Sequence, residues 1–325
     1  MPKRSPTEAV SAADRALAAR VARLFYLDDR SKVQISESLG VSRFKVARLL
    51  DLALNEGIVT ISIDDGGMLD EALSERAGEV LGLERVTAVS AFGTLDEVRG
   101  TVGREAARLL STTLRDGETL GMGWGRALGS TAEAIESLPQ VSVVQMTGAT
   151  EMTRHLSPVE VVRRIGNHSG GDMLPLFAPL VADDEETAEV FRRQSDIARV
   201  LDHHRDVTTA VMAVGSWNPP SSQLYNSLSP EARQELLAQG AVAEIGVTLL
   251  DRDGGEVASD FAKRCIAVTT ERLRAIPRVI AVAAGTEKAT AVVALARSRL
   301  ISELVVDAEL AEAAIAVAEQ TGSNA

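Results

Sequence analysis

Short apolar runs separated by amphipathic helices fill the chain from Arg85 onward, and they restrict its fold more than any other feature. The runs that resemble strands are Val86–Ser90, Thr119–Met122, Val141–Met146, Thr208–Val214, Glu244–Leu250, Val279–Ala283 and Glu303–Val306. Helical spacing lies between most of them, as in Val98–Leu114, Leu128–Leu138, Glu231–Gln239 and Lys288–Ser298. Because nearly continuous apolar strands must be buried on both faces, we expect an α/β domain with a doubly wound, mostly parallel, Rossmann-like sheet. Ligands of such sheets bind beyond the carboxyl ends of strands, where the strand order reverses.

A second pattern lies near the N-terminus. Ala12–Asp28 has helical spacing, and Lys32–Val59 reads as two further helices joined by a tight turn. Gly40 suits the left-handed conformation that ends a helix, and Ser42 is a good N-cap for the next one. Alternating residues at 58–63 then predict a short wing-like strand. The order favours a winged-helix-like helix-turn-helix over an ordinary helical hairpin.

The second helix of this pattern begins with polar and basic side chains, as does a recognition helix that enters a major groove. The residues that we expect to contact DNA are Ser42, Arg43, Phe44, Lys45 and Arg48. Charge is divided unevenly: residues 1–63 contain ten Lys/Arg and seven Asp/Glu, whereas the remainder contains 24 and 39. A mildly basic head on an acidic body fits a protein whose head alone contacts phosphates.

The turn-rich segment 64–67 marks the predicted domain boundary. We therefore expect a DNA-binding domain at residues 1–63 and a ligand-binding and oligomerisation domain at 64–325. Met68–Leu81 is predicted to be helical and to belong to the second core. No apolar run is long enough to span a membrane and the first residues are not a signal peptide, so we expect a cytoplasmic protein. The single cysteine, Cys265, excludes an internal disulfide and a cysteine-rich zinc site.

Four strand-to-helix loops of the predicted sheet carry glycines and polar groups, at residues 121–126, 147–151, 214–218 and 283–288. Gly125 and Arg126 offer free amides and a forked donor at a helix N-terminus, a combination that binds anions. Lys288 adds an ammonium at another such end, although a solvated lysine is the alternative interpretation there. The first loop matches neither a P-loop nor a dinucleotide fingerprint. Together the loops predict a site for a small polar ligand.

The other polar clusters do not predict a catalytic or metal-binding site, and neither a metal nor a cofactor is expected. The pair His203-His204 is predicted to lie on a solvated helix end, and the acidic run 183–186 is predicted to cap a helix. His155 and His168 have no carboxylate or cysteine at ligand spacing. No nucleophile motif is present.

In this order, the features resemble the SorC/DeoR-like bacterial transcription regulators with a sugar-binding domain. The matching residues are Ile35, Leu39-Gly40-Val41-Ser42, Val46-Ala47-Arg48-Leu49-Leu50 and Glu56-Gly57-Ile58-Val59 in the head, and Trp124-Gly125-Arg126, Leu174-Pro175, Ala178-Pro179, Gly215-Ser216, 276–283 and Lys288-Ala289 in the body. The resemblance covers residues 12–320, and its last segment is the most specific.

The resemblance implies a tetrameric regulator of carbohydrate catabolism whose larger domain is similar to phosphosugar isomerases and deaminases. A phosphorylated sugar binds that domain in the family and changes the affinity for operator DNA. The residues that we expect to bind the effector are Gly123, Gly125, Arg126, Gly148, Gly215, Ser216, Glu244, Gly285 and Lys288. Glu244 resembles the carboxylate that contacts sugar hydroxyls. Ala127 stands where the family usually has Thr or Ser, which removes one hydroxyl donor.

Two other functions fit the same architecture. One is an active phosphosugar isomerase or deaminase with an accessory DNA-binding head, for which Glu244 is the candidate base. No His or Asp is a clear partner for that base in the sequence, so we expect no enzyme activity. The other is a nucleotide-binding scaffold, which needs an adenine site that the sequence does not indicate.

Overall fold

A computed structural model of the protein describes residues 11–59, 67–150, 157–257 and 259–322. The chain divides into two compact units, Met1–Asp64 and Asp65–Ala325. Apart from Gly67, the predicted boundary segment lies outside the described residues. Within the described ranges, no helix combines the length and the apolarity that crossing a membrane requires.

Over residues 11–59, the described part of the smaller unit, the chain forms three helices: α1 (Ala12–Tyr26), α2 (Lys32–Leu39) and α3 (Arg43–Asn55). Each begins after a serine whose hydroxyl accepts a backbone N–H, and these serines are Ser11, Ser31 and Ser42. Gly40 has the left-handed conformation (φ 64°) that ends α2. The core of the unit consists of Ala18, Val21, Ala22, Ile35, Val46, Leu49, Leu50 and Ala53. Residues 58 and 59 form a bend rather than a strand, and the rest of the predicted wing, 60–63, lies outside the described residues.

The central sheet of the larger unit is parallel over seven strands: β1 (Arg85–Val89), β2 (Thr119–Met122), β3 (Val141–Gln145), β4 (Gly170–Leu174), β5 (Thr209–Ser216), β9 (Arg278–Ala283) and β10 (Glu303–Asp307). Their spatial order is β1-β10-β9-β5-β2-β3-β4. Chain order therefore reverses between β2 and β5, which are neighbours. Three short antiparallel strands continue from β5, namely β6 (Ala243–Ile245), β7 (Thr248–Leu250) and β8 (Glu256–Val257). The predicted mostly parallel α/β sheet is confirmed.

Helices lie on both faces of this sheet. The described helices of the larger unit are α4 (Glu71–Leu81), α5 (Leu95–Thr113), α6 (Arg126–Ala134), α7 (Pro158–Ser169), α8 (Glu185–Arg192), α9 (Ser195–His203), α10 (Gln223–Ser227), α11 (Pro230–Ala238), α12 (Ser259–Lys263), α13 (Thr270–Arg274), α14 (Ala289–Ser298) and α15 (Ala308–Gly322). Alternate residues of a strand enter different cores: Met212 packs on the α14 and α15 side, and Val211 packs on the α5 and α6 side. This alternation is the physical reason for the continuous apolar runs in the sequence.

Two predicted elements have different bounds. The helix predicted from Met68 begins at Glu71, because Asp70 caps it and Leu69 forms a β-bridge with Val89. The single strand predicted at 244–250 is the hairpin of β6 and β7. Gly246 (φ 64°) reverses the chain there, a conformation that the apolar pattern does not reveal.

The prediction for His204 is wrong, whereas that for His203 is correct. A short 3-10 turn after α9 buries the His204 ring, and its Nε2 lies 2.9 Å from the carbonyl oxygen of Gln145. Burial lowers the pKa of His204. His203, at the end of α9, is half-buried, and its Nδ1 lies 2.9 Å from a carboxylate oxygen of Asp206. The acidic run does cap a helix, since the Asp184 carboxylate accepts the N–H of Thr187 at the start of α8. His155 lies outside the described residues.

Candidate functional site

A cleft opens beside β2 and β5, where the strand order of the larger unit reverses. It encloses about 520 Å³ between protein atoms, part of which is open to solvent. Its walls are Arg99, Trp124, Gly125, Arg126, Ala127, Ala213, Val214, Gly215, Ser221, Ser222, Gln223, Glu244, Gly246, Ala284 and Lys288. The position is the one at which open α/β sheets bind ligands.

One end of the cleft is formed by the N-terminus of α6. Gly125 precedes this helix with φ 145°, and no side chain caps the first turn. A Cβ on Gly125 would lie 2.7 Å from the Cβ of Ala213, so only glycine fits between β5 and the helix. The first-turn N–H groups and the helix dipole therefore favour an anion at this end.

Three cations line the same cleft. The Arg126 Nη2 donates to the carbonyl oxygen of Ser221 at 3.2 Å, and the Lys288 Nζ donates to that of Val214 at 2.7 Å. Arg99, on α5, is 6% exposed and pairs with the solvent-exposed carboxylate of Asp96. Burial lowers the pKa of Lys288 to about 8. Burial and the nearby Arg99 also lower the pKa of Arg126. An anion bound here would relieve both effects.

A carboxylate, Glu244, also lines the cleft. It is buried, and its Oε2 accepts hydrogen bonds from the indole Nε1 of Trp217 at 2.5 Å and from the hydroxyl of Ser222 at 2.7 Å. Burial raises the pKa of Glu244 to about 7 despite these donors and the positive charge of Lys288. Gly215 leaves space for this side chain, because a Cβ there would lie 2.5 Å from Oε1 of Glu244.

Two further polar atoms in the cleft wall are unsatisfied in the structure. The Ser221 hydroxyl and the Gln223 Oε1 are both inaccessible to solvent and have no hydrogen-bond partner. Buried polar atoms without partners are costly, so such atoms usually serve a bound group. A hydroxyl-rich ligand would satisfy both.

In the smaller unit, α3 presents a polar face opposite its core. Its buried residues are Val46, Leu49, Leu50 and Ala53. Phe44 and Arg48 are four residues apart on the opposite face, and Arg43 and Lys45 flank Phe44. These four side chains are exposed, and the Phe44 ring is 87% exposed. The hydroxyl of Ser42 accepts the N–H of Lys45 at 3.2 Å, which places Ser42 at the tip as the N-cap.

Comparison with known proteins assigns the family. The sugar-binding family model described as "Putative sugar-binding domain" matches residues 69–316. The transcriptional regulator LsrR of Enterobacter sp. (strain 638) is 29% identical over 93% of this chain and 93% of its own length. The sorbitol operon regulator of Klebsiella pneumoniae is 26% identical over 92% of this chain and 97% of its own length. The chain belongs to the SorC/DeoR-like, sugar-binding transcriptional regulators.

A solved structure supports the fold of this SorC/DeoR-like regulator over its length. The crystal structure of full-length SorC from Klebsiella pneumoniae superposes with a TM-score of 0.69 at 22% identity, and covers 94% of this chain and 100% of that one. The deoxyribonucleoside regulator of Bacillus subtilis (strain 168) is a further relative, 26% identical over 92% of this chain and 97% of its own length.

Five of the nine effector residues predicted for this regulator line one cleft: Gly125, Arg126, Gly215, Glu244 and Lys288. The other four are not among the residues that line it, and internal hydrogen bonds occupy their polar groups. The amides of Gly123, Gly148 and Gly285 donate to Val211, Ile266 and the carboxylate of Asp307, and the Ser216 hydroxyl donates to Pro219. In this structure the Gly285 amide is therefore engaged by Asp307, and its role in effector binding stays a prediction.

Arg99, Ser222 and Gln223 were not predicted from the sequence, whereas Trp217 lies in the predicted ligand loop 214–218 but was not named as a site residue. Arg99 was detectable, since it lies three and four residues before the buried Val102 and Gly103 on α5, and a charged residue on a buried face is unusual. Ser222 and Gln223 lie around the start of α10, whose contact with Glu244 depends on the path of the chain after β5.

Proposed function

We propose that the protein is a one-component regulator of carbohydrate catabolism that binds operator DNA through α3 and a phosphorylated sugar in the cleft. The observation that carries this proposal is the meeting of cations and a helix N-terminus with a buried carboxylate and unsatisfied hydroxyl and amide groups. Such a cleft suits a ligand that is anionic at one end and polyhydroxylated at the other. The printed names of two relatives, a sorbitol operon regulator and a deoxyribonucleoside regulator, support a carbohydrate-derived effector.

The phosphate would bind at the N-terminus of α6. The first-turn amides donate to its oxygens, Arg126 supplies a planar fork, and Lys288 supplies a point charge. Because the body of the protein carries a net negative charge, an anionic ligand needs this local positive region to overcome the general repulsion.

The sugar would bind towards Glu244. Its carboxylate is already oriented by Trp217 and Ser222, and its other oxygen can accept from a sugar hydroxyl. Gln223 and Ser221 supply two more groups of matching polarity. This end of the cleft would select among sugars, whereas the phosphate end would select for the charge.

Control of DNA binding requires a difference in affinity. The effector must bind the DNA-competent and the DNA-incompetent assemblies with unequal free energies, because a ligand that binds both equally shifts nothing. The same coupling makes operator DNA change the affinity for the effector by an equal factor.

The first experiment is a thermal-shift panel of sugar phosphates and the corresponding free sugars. A ligand of the folded state at 100 times its Kd adds about 2.7 kcal/mol to the free energy of unfolding. The best ligand is then titrated by calorimetry into Arg126→Gln, Lys288→Met and a control, Arg163→Gln, which breaks an exposed ion pair with Glu160. We expect the first two to weaken binding roughly 30-fold or more, and the control to bind as the wild type does. Equal affinity for the unphosphorylated sugar would contradict the phosphate site.

The enzyme alternative rests on one observation, the pKa of Glu244 near 7, which suits a proton-transfer group. Among the described cleft residues, Lys288 with its pKa near 8 is the other group in a range that suits proton transfer, while Glu244 is the one carboxylate and no histidine is found. Incubation with aldose and ketose phosphates distinguishes the two functions. Steady interconversion that is lost in Glu244→Gln would favour an enzyme.

A further inference from the structure

Phe44 is the most exposed large apolar side chain of the described residues, and it lies at the tip of α3. The residue is 87% exposed. The residue is not needed for the core of the unit, which forms on the opposite face of the helix from Val46, Leu49 and Leu50. An aromatic ring held in water at this position requires another explanation.

The groups around Phe44 restrict what can cover it. Arg43 and Lys45 flank the ring along the chain, and Arg48 lies one turn further along the same face. All three are exposed. An apolar group surrounded by cations is complementary to a surface that is polyanionic at its rim and has apolar groups at its floor. The major groove of DNA has this character, because phosphates border it and thymine methyl groups project into it.

Resting on the proposed DNA-binding function, we propose that Phe44 reads thymine in the operator by packing its ring against the C5-methyl group, with Arg43 and Lys45 held towards the flanking phosphates and Arg48 towards the neighbouring base edge. The ring supplies sequence selection without a hydrogen bond. Thymine is the one DNA base that presents a methyl group in the major groove, so this contact distinguishes it from the other three.

The test uses a change of one methyl group in the DNA. A binding duplex is first selected from a random library with the full-length protein, and each thymine is then replaced in turn by deoxyuridine, which lacks only that methyl group. For the wild type we expect one thymine per half-site whose replacement raises the Kd about fourfold, the value for loss of one buried methyl-sized group. For Phe44→Ala we expect an overall loss of at least about tenfold. We also expect deoxyuridine to have no effect at that position.

A matched control is Leu27→Ala, which removes another exposed apolar side chain of the same unit, 73% exposed at the end of α1. We expect it to keep the wild-type sensitivity to deoxyuridine. Because Phe44 is exposed, its variant should unfold at the wild-type temperature, which thermal denaturation checks.

Three outcomes would overturn the proposal while leaving DNA binding by α3 intact. In the first, the wild type is insensitive to every deoxyuridine replacement. In the second, Phe44→Ala keeps the wild-type sensitivity to deoxyuridine. In the third, Phe44→Ala binds the duplex with fewer protein copies per complex, which would place Phe44 between two protein copies. Failure of the wild type to select any duplex would instead contradict the proposed function itself.

Discussion

The buried surroundings of Glu244 disfavour the ionised form of its side chain. Its burial raises its pKa from 4.5 to about 7, so the folded protein holds a proton that the unfolded chain releases between those two pH values. The contribution of Glu244 to the free energy of unfolding must therefore fall as pH rises from about 4.5 to 7, and the penalty is fully present above 7. The lowered pKa of Lys288, about 8, acts in a separate window at higher pH.

We expect Glu244→Gln to remove this dependence. The amide is isosteric and uncharged, and its oxygen can accept from Trp217 and Ser222 as the carboxylate does. Without ligand, the variant should be more stable than the wild type at pH 7.5, by an amount on the order of 2 kcal/mol, and equal to it near pH 4. Urea denaturation at several pH values measures this, with the exposed Glu75→Gln as control. A difference in stability between wild type and Glu244→Gln that is the same at pH 5 and pH 7 would contradict the assignment.

The positions of individual residues were predictable where the neighbouring sequence alone determined them. Gly125, Arg126 and Lys288 follow strands and begin helices, so their position at the edge of the sheet can be read from the chain. The amide of Gly285 also follows a strand, but it donates to Asp307 from β10. That competition comes from a residue distant in sequence, and no local pattern contains it.

Among the secondary structure elements, α5 and α6 determine the shape of the anion end of the cleft. They pack closely at Gly103, where a Cβ would lie 2.6 Å from the Cβ of Ser130 and 2.8 Å from the backbone nitrogen of Thr131. Any side chain at 103 must push α6 away, and α6 carries Arg126 and the first-turn amides. One turn earlier, Gly100 has no such neighbour, since the nearest atom is 3.6 Å away at the flexible end of Arg104.

The two glycines therefore make a matched pair. We expect Gly103→Ala to lower the free energy of unfolding by about 1–3 kcal/mol, the cost of overpacking, and to weaken binding of the sugar phosphate. Gly100→Ala should raise stability by up to about 1 kcal/mol, because alanine favours the helix and nothing obstructs it. Thermal denaturation and calorimetry on both variants check this. Equal changes in stability and in sugar-phosphate affinity for the two variants would show that the close contact between Gly103 and α6 does not determine either property.

Prediction of elements from the sequence succeeded for the strands with continuous apolar runs, including the edge strand β1, and failed for the edge strand β4 and for the β6–β7 hairpin. β4 (Gly170–Leu174) was not predicted, because it begins with two glycines and has little intrinsic strand propensity. Its hydrogen bonds with β3 stabilise it as a strand. The hairpin of β6 and β7 was merged into one strand, because both halves are apolar and the separating Gly246 is a single residue. Tertiary pairing decides such segments, and their own propensity does not.

At the scale of the whole molecule, we expect the regulator to act as an oligomer. One recognition helix reads few base pairs, so proteins of this kind bind paired half-sites about one helical turn apart as dimers. The family resemblance further predicts a tetramer. Light scattering on the free protein and on its complex with the selected duplex measures the mass directly. A monomer at micromolar concentration in both samples would rule this out.

In the proposed regulator, one ligand in the cleft controls the affinity of α3 for DNA. The most direct measurement is fluorescence anisotropy of the selected duplex, titrated with the wild type and with Lys288→Met, each with and without a saturating amount of the sugar phosphate. We predict that the ligand changes the wild-type Kd for DNA by roughly 5- to 150-fold, the usual range for coupled sites. We also predict that Lys288→Met binds the duplex normally and responds only at much higher ligand concentration. A wild-type Kd that is the same with and without bound sugar phosphate would contradict the account.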